Sequence, residues 1–146
     1  MKFNFNKKIS LFIALAFIIV ISLLYYMREH KFVVNANTNI AIEFNSTDIV
    51  LSGDEENEFK NILNSIKVHR SLSRYDGSYH NESTIFIRIH DTDKNGTIRG
   101  ILTVCVDDTS KSSFLGSKPN GRFELKKTDI QKIMDFLYPI IISLDT

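Results

Sequence analysis

The sequence predicts an α+β protein: a single N-terminal transmembrane helix followed by a two-layer domain, an antiparallel sheet with two helices on one face. Three observations lead to this prediction. An uncharged apolar run extends from Ile9 to Met27, alternating apolar residues recur between Asn39 and Leu125, and two segments carry apolar residues at helical spacing. Stacking the helices on the sheet buries the apolar side of both.

The apolar run is bounded by Lys8 and Arg28, and residues 9–27 contain no charged side chain. A helix of that length covers roughly 28 Å, close to the hydrocarbon thickness of a bilayer. The slight excess of lysine before the run favours a cytoplasmic N-terminus. We therefore expect a single-pass protein of a bacterial cytoplasmic membrane, with residues 1–31 as tail and anchor and the C-terminal domain outside the cytoplasm.

A cleaved signal peptide is the competing interpretation, because Val34-Asn35-Ala36 fits a small-x-Ala cleavage site. The apolar run is longer than the usual h-region of about 7–15 residues, and charged residues separate it from that site. An uncleaved anchor is therefore favoured. We expect a short polar linker over residues 32–38 and one domain over residues 39–146.

Composition limits the function of the outer part. Without the five basic residues and one acidic residue of the first 31 positions, 13 basic and 16 acidic residues remain, a net charge of −3. Such a balance argues against a nucleic-acid partner. Cys105 is the only cysteine, so an intramolecular disulfide is excluded, and its place between two valines predicts a buried thiol.

The first half of the domain begins with an alternating strand over Asn39–Phe44 and a short second strand over Asp48–Ser52. Ser52 and Glu55 have the spacing of a capping box and predict the start of a helix. The apolar stripe of that helix consists of Phe59, Ile62, Leu63 and Ile66. A strand at the edge of the sheet is expected over residues 68–74.

The second half predicts two hairpins and a helix. Ile85–Ile89 and Ile98–Val106 alternate on either side of Asn95-Gly96, and a shorter hairpin turns at residues 118–121. Thr128 and Gln131 have capping-box spacing, followed by an apolar stripe. Pro139 is expected to end this helix, and residues 140–142 then form a short strand.

Asp91, Asp93, Asn95 and Gly96 follow the first half of an EF-hand calcium loop. Leu102 stands where the bidentate glutamate of such a loop is needed. A hairpin turn, in which Asp and Asn bond their own backbone, is therefore favoured over a weak calcium site.

The segment most typical of an interaction surface contains Arg70, Arg74, Tyr75 and Tyr79. Arginine and tyrosine contribute more binding energy than most residue types. A solvated loop is the simpler interpretation, and a protein partner, if there is one, is expected to bind here. No Gly-rich phosphate loop, nucleophile motif, paired zinc motif or cofactor motif is present, so we expect no cofactor and no enzymatic activity.

Four features occur in a fixed order along the domain: a predicted helix over residues 54–66, the sequence Arg74-Tyr75-Asp76-Gly77, a strand over residues 85–89 and a segment over residues 117–123. This order resembles small uncharacterised bacterial membrane-anchored or secreted α+β domains, although an aromatic-rich strand after the hairpin is missing. The resemblance implies a fold and a location outside the cytoplasm. It implies nothing about chemistry.

Three functions remain open. The favoured one is a non-catalytic protein-binding module, either an immunity-type inhibitor or an accessory subunit of an envelope complex. The alternative is a small-ligand or weak calcium sensor that uses Asp91, Asp93 and Asn95. A hydrolase assembled from scattered residues ranks third.

Overall fold

The structure is a computed structural model that describes residues 5–31, 33–70, 82–91, 99–108, 110–116 and 121–144. Within these residues the chain forms three helices: α1 (Phe5–Tyr26), α2 (Gly53–Ser65) and α3 (Lys127–Leu144). The described strands are β1 (His30–Lys31), β2 (Thr38–Phe44), β3 (Thr47–Ile49), β4 (Lys67–Arg70), β5 (Thr84–Asp91), β6 (Arg99–Cys105), β7 (Ser113–Gly116) and β8 (Gly121–Leu125).

The strands form one antiparallel sheet in the order β1-β4-β8-β7-β6-β5-β2-β3. The predicted α+β class is therefore confirmed. Both predicted hairpin pairings are present, since β5 pairs with β6 and β7 with β8. The Asn95-Gly96 turn lies outside the described residues.

The core forms where alternating strand residues meet the helices. Ile85, Ile87 and Ile89, predicted to share one face of a strand, are all buried. They belong to one hydrophobic cluster with residues of both α2 and α3. The rings of Phe59 and Phe136 stack there with centroids 5.3 Å apart and join the two helices.

The start of α2 follows the sequence prediction. The Ser52 hydroxyl accepts a hydrogen bond from the Glu55 backbone N–H at 3.4 Å, and the Glu55 carboxylate accepts one from the Ser52 N–H at 2.7 Å. These bonds satisfy two backbone donors that a helix start leaves unpaired. Phe59, Leu63 and Ile66 of the predicted stripe are fully buried, and Ile62 is partly buried.

The predictions for the last helix are wrong at both ends. The Lys126 carbonyl accepts the first hydrogen bonds, from Asp129 and Ile130, so the helix begins before Thr128. Pro139 lies inside α3, and residues 140–142 are helical. A proline there removes one backbone hydrogen bond. Burial of Ile141 on the next turn, together with Leu137, favours continuing the helix against the core.

The prediction that β4 lies at the sheet edge is also wrong, because β1 pairs with it on the outside. Only two residues form β1, too few to show any alternation in the sequence. This short strand lies within the segment assigned to the anchor and attaches that segment to the sheet.

Residues 33–37 belong to the segment expected to be a linker, but they lie alongside α2 and contact it. The side-chain amide of Asn64 binds Val34 twice, accepting from its N–H and donating to its carbonyl, each at 2.8 Å. Lys60 Nζ donates to the Ala36 carbonyl at 3.2 Å. Val34 itself is buried in the core cluster. This segment is therefore packed as part of the domain.

Candidate functional site

The most distinctive arrangement of polar groups lies where α1 meets the sheet. Only three residues separate the end of α1 from β1, and β1 pairs His30 with Val68 and Lys31 with Lys67. The helix end is thus joined to a sheet strand by main-chain hydrogen bonds. We call this region, with the side chains of Tyr26, Glu29, Lys67, His69, Arg70 and Lys126, the junction.

Glu29 is the charged centre of the junction. Its carboxylate lies 2.8 Å from Lys126 Nζ, 3.0 Å from Lys67 Nζ and 3.4 Å from His69 Nε2. The hydrogen bonds from Lys126 and Lys67 lower the pKa of Glu29 from 4.5 to about 2. Its carboxylate raises the pKa of Lys126 in return. These ion pairs therefore connect Glu29, which precedes β1, to Lys67 of β4 and to Lys126, which follows β8.

Arg70 is the one residue of the predicted protein-binding set whose position is described, and it belongs to the junction. Its guanidinium carbon lies 4.8 Å from the ring centroid of Tyr26, the last residue of α1. This is a cation–π contact. Arg74, Tyr75 and Tyr79 lie outside the described residues.

The register shows which end of the sheet is close to α1. Arg70 is aligned across the strands with Phe123, Phe114, Leu102 and Ile87. β4, β5 and β7 run in the same direction through that row. They end at Arg70, Asp91 and Gly116, respectively. We call this the Arg70 end of the sheet. The segments over residues 71–81, 92–98 and 117–120 all begin there.

Both sites predicted from the sequence therefore start at the same end of the sheet. The Arg/Tyr segment follows Arg70, and the possible calcium loop follows the backbone of Asp91, which pairs with Thr38. Asp93 and Asn95 lie outside the described residues. In the part of the chain that is described, no group of three or more His, Cys, Asp or Glu residues could hold a metal ion.

A groove of about 390 Å³ lies away from the junction, between α3 and the residue that follows β6. Its lining combines the aliphatic Val106, Met134 and Pro139 with the polar Gln131, Asp135 and Tyr138. Gln131 Nε2 donates to Asp135 Oδ1 at 2.7 Å, so these two polar groups already bind each other.

Among the described residues, two further carboxylates have a lowered pKa, and local hydrogen bonds are the cause in both. Hydrogen bonds from the Ser52 side chain and backbone lower the pKa of Glu55 in the helix cap. The hydroxyl of Ser110 lowers the pKa of Asp108 in the turn after β6. Cys105 is a buried free thiol, as the sequence predicts. These groups stabilise local structure and form no shared site.

Within the described residues, one helix is long and apolar enough to cross a membrane. Its window from Ile9 to Tyr26 has a mean hydropathy of 2.6, and none of it is buried against the domain. The chain matches no known protein family, no curated protein and no solved structure.

The sequence contains no signal for the junction. Glu29 and Lys126 are 97 positions apart, and each is an ordinary charged residue in its local context. In the sequence, Glu29 only reduces the positive charge of Arg28 and Lys31 beside the anchor. Only the pairing of β1 with β4 brings it to Lys67, His69 and Lys126.

Proposed function

We propose that this chain is a membrane-anchored, extracytoplasmic, non-catalytic protein-binding module whose partner lies at the bilayer surface. It acts as an immunity-type inhibitor or as an accessory subunit of an envelope complex. In this proposal residues 9–27 cross a bacterial cytoplasmic membrane once, with the N-terminus in the cytoplasm. The two helices α2 and α3 cover one face of the sheet.

One observation carries the proposal, namely the contact between Tyr26 and Arg70. Tyr26 ends the apolar helix, and tyrosine is enriched at membrane–water interfaces. Arg70 is the last described residue before the Arg/Tyr segment. That segment therefore begins beside the end of the proposed span. A protein that binds it must reach the bilayer surface, as another membrane protein does.

The junction supports the same conclusion. A long flexible tether would let the domain search the space above the membrane for a soluble partner. Here β1 pairing and the Glu29 ion pairs connect the domain directly to α1. Such a connection keeps Arg70, the residue that precedes the binding segment, beside the end of α1 and so favours a partner at the bilayer surface.

The burial pattern supports a two-layer arrangement. Ile87 and Ile89 are buried in the cluster that contains residues of both helices, whereas Arg88 between them is partly exposed. Alternate residues of a strand point to opposite faces. The shared cluster supports an arrangement in which both helices cover the same face of β5.

Affinity capture tests the proposal. Tagged full-length protein is purified from gently solubilised membranes, and bound proteins are identified by mass spectrometry. The test variant combines Arg74→Ala, Tyr75→Ala and Tyr79→Ala and leaves Arg70 unchanged, because replacing Arg70 would also disturb the junction. The matched control carries Asn57→Ala and Glu58→Ala on the exposed side of α2.

We expect one stoichiometric membrane-protein partner that the control retains and the test variant loses. A partner retained equally by both would contradict the proposed surface. No partner, together with a calcium-dependent rise in melting temperature that Asp91→Ala abolishes, would replace the proposal with the calcium-sensor alternative.

A further inference from the structure

The small-x-Ala sequence Val34-Asn35-Ala36 lies in the stretch that packs along α2, and we call residues 33–37 the α2-bound segment. A signal peptidase cuts after the alanine of such a sequence. The cut hydrolyses the amide between Ala36 and Asn37, so that one water leaves a carboxylate on Ala36 and an amino group on Asn37. Whether the folded domain offers this bond to a protease depends on the contacts of the segment.

The main chain before the bond is already bound to α2. A peptide held in extended form needs free main-chain hydrogen-bonding groups and pockets for alternate side chains. Here the Asn64 side chain binds both the N–H and the carbonyl of Val34, each at 2.8 Å. Lys60 Nζ binds the Ala36 carbonyl at 3.2 Å. A protease therefore has to displace two side chains of α2.

Asn35, between these two residues, is held in a turn. Its N–H donates to the Thr38 hydroxyl at 3.1 Å, and its carbonyl accepts from the Thr38 N–H at 3.1 Å. Thr38 is buried and is the first residue of β2. The turn is therefore attached to the sheet, and Asn35 cannot extend without breaking both bonds.

The side chain at the first small position is out of reach as well. Val34 is 6% exposed and belongs to the core cluster. A protease that recognises both small positions has to bind Val34 as well as Ala36. Cleavage therefore requires the segment to leave α2 and Val34 to leave the core, which is a local unfolding event.

From these contacts we propose that Val34-Asn35-Ala36 is a processing site that the folded domain closes, and that Asn64 and Lys60 hold it closed. A folded chain keeps its anchor, whereas a chain whose segment is free of α2 is cut after Ala36 and released. Charged residues between the apolar run and the site make it a slow substrate, so folding precedes the cut. The inference rests on the proposed function, since α1 has to span the membrane to present the site.

The cut is irreversible for the fold as well as for the chain. The released product begins at Asn37 and lacks Val34, which belongs to the core cluster. It also lacks Glu29, the carboxylate that binds Lys67 and Lys126, and the pairing of β1 with β4. Processing therefore removes chains whose domain has not formed, and only the anchored form contains the junction.

A bacterial signal peptidase, reconstituted with the full chain in phospholipid vesicles, tests the inference. The test variant is Asn64→Ala, which removes both bonds to Val34. Asn61→Ala, exposed on the same helix, is the matched control. Gly100→Ala is a second control, because its Cβ would crowd the Phe114 ring and destabilise the sheet away from the segment. Mass spectrometry identifies the products.

We expect Asn64→Ala to be cut after Ala36 roughly 5–30 times faster than the unmodified chain, since losing the two bonds raises the population of the detached segment. Asn61→Ala and Gly100→Ala are expected to keep the slow rate. An unmodified chain cut as fast as Asn64→Ala would overturn the inference. Gly100→Ala cut equally fast would also overturn it, because general instability would then control cleavage.

Lys60→Met tests the second contact. It removes the bond to the Ala36 carbonyl and the ion pair with Glu56, and we expect faster cleavage than in the unmodified chain. Lys132→Met is the matched control, because it also breaks an ion pair within one helix but lies on α3. Equal cleavage rates in the two lysine variants would overturn the role given to Lys60.

A further substitution identifies the bond that is cut. Ala36 is exposed, so the folded domain accepts Ala36→Leu, but leucine is too large for the small position of the protease site. In the Asn64→Ala background this change is expected to stop cleavage, and continued release would overturn the inference. An Asn64→Ala chain that stays in the vesicles uncut at alkaline pH would overturn the inference alone. Alkaline extraction of the uncut chain would overturn the span itself.

Discussion

Glu29 and Lys126 form an ion pair of 2.8 Å that connects the segment after α1 to the residue before α3, 97 positions later in the chain. Lys67 binds the same carboxylate from β4. One side chain thus joins three separate parts of the sequence at the point where the apolar helix meets the domain. The behaviour of this carboxylate is the most direct way to test the junction.

Glu29→Gln should loosen the junction without unfolding the domain. The neutral amide loses the charge-assisted bonds to Lys126 and Lys67. The edge is then held by the two residue pairs of β1 and by the contacts of His30 with Phe123 and of Tyr26 with Arg70. We expect faster amide hydrogen exchange at Lys31 and an unchanged thermal midpoint, since all these groups are solvent-accessible. Glu58→Gln on α2 is the matched control, and equal exchange in both variants would contradict the role given to Glu29.

Acid should loosen the junction in the same way. The pKa of Glu29 in the folded protein, about 2, lies below its ordinary value of 4.5. The ionised Glu29 carboxylate therefore stabilises the junction fully at a pH above its ordinary pKa. This stabilisation is lost as the pH falls from about 4.5 towards 2. Hydrogen exchange at Lys31, corrected for intrinsic pH dependence, is expected to accelerate over this range. The acceleration should be absent in Glu29→Gln.

Gly100→Ala should destabilise the sheet. A Cβ atom at this position would lie 2.4 and 2.5 Å from two ring atoms of Phe114 on the neighbouring strand. The ring would have to move, at a cost of about 1–3 kcal/mol in the free energy of unfolding. Gly53→Ala is the matched control, because nothing lies within 4 Å of its Cβ position.

Urea denaturation of these two glycine variants measures the difference. Gly53→Ala is expected to be neutral or slightly stabilising, since alanine favours the first turn of α2. Combining Gly100→Ala with Phe114→Leu should recover part of the loss, because the leucine side chain leaves the space that the aromatic ring occupied. Equal stability of the two single variants would show that the ring adapts without cost.

Asn64→Ala should release the segment that packs along α2. Two hydrogen bonds to the Val34 backbone are lost, and the expected decrease in unfolding free energy is about 1–2 kcal/mol. Asn61→Ala, one turn earlier and exposed, is the control. Limited proteolysis gives a second measurement, with faster cleavage near Val34 expected only in Asn64→Ala. Protection of that segment in both variants would mean that burial of Val34 and the Lys60–Ala36 bond hold it without Asn64.

Local sequence signals were sufficient where a few neighbouring residues decide the structure. Ser52 and Glu55 predicted the start of α2, because a capping box satisfies backbone donors within one turn. The alternation around Ile87 predicted the buried face of β5, because side chains of a strand repeat every two residues. Both predictions depend on contacts made within a few positions along the chain.

Local signals failed where distant contacts outweigh them. Pro139 is a strong helix breaker, yet α3 continues through it because the following turn buries Ile141. The two residues of β1 show no periodicity, and their strand exists because β4 presents a free edge to them. The expected linker packs on α2 through Asn64, a polar residue whose partner is 30 positions away.

In the candidate site, too, some features follow from local sequence and others depend on distant contacts. The sequence by itself determined the apolar helix, the α+β class and the residue types of the Arg/Tyr segment, because hydropathy and periodicity are properties of neighbouring residues. Only the tertiary structure decided that Arg70 contacts Tyr26, that Glu29 meets Lys126, and that Ile101 and Leu115 lie side by side. Strand pairing creates these contacts between residues far apart in sequence, and no local pattern encodes a partner at such a distance.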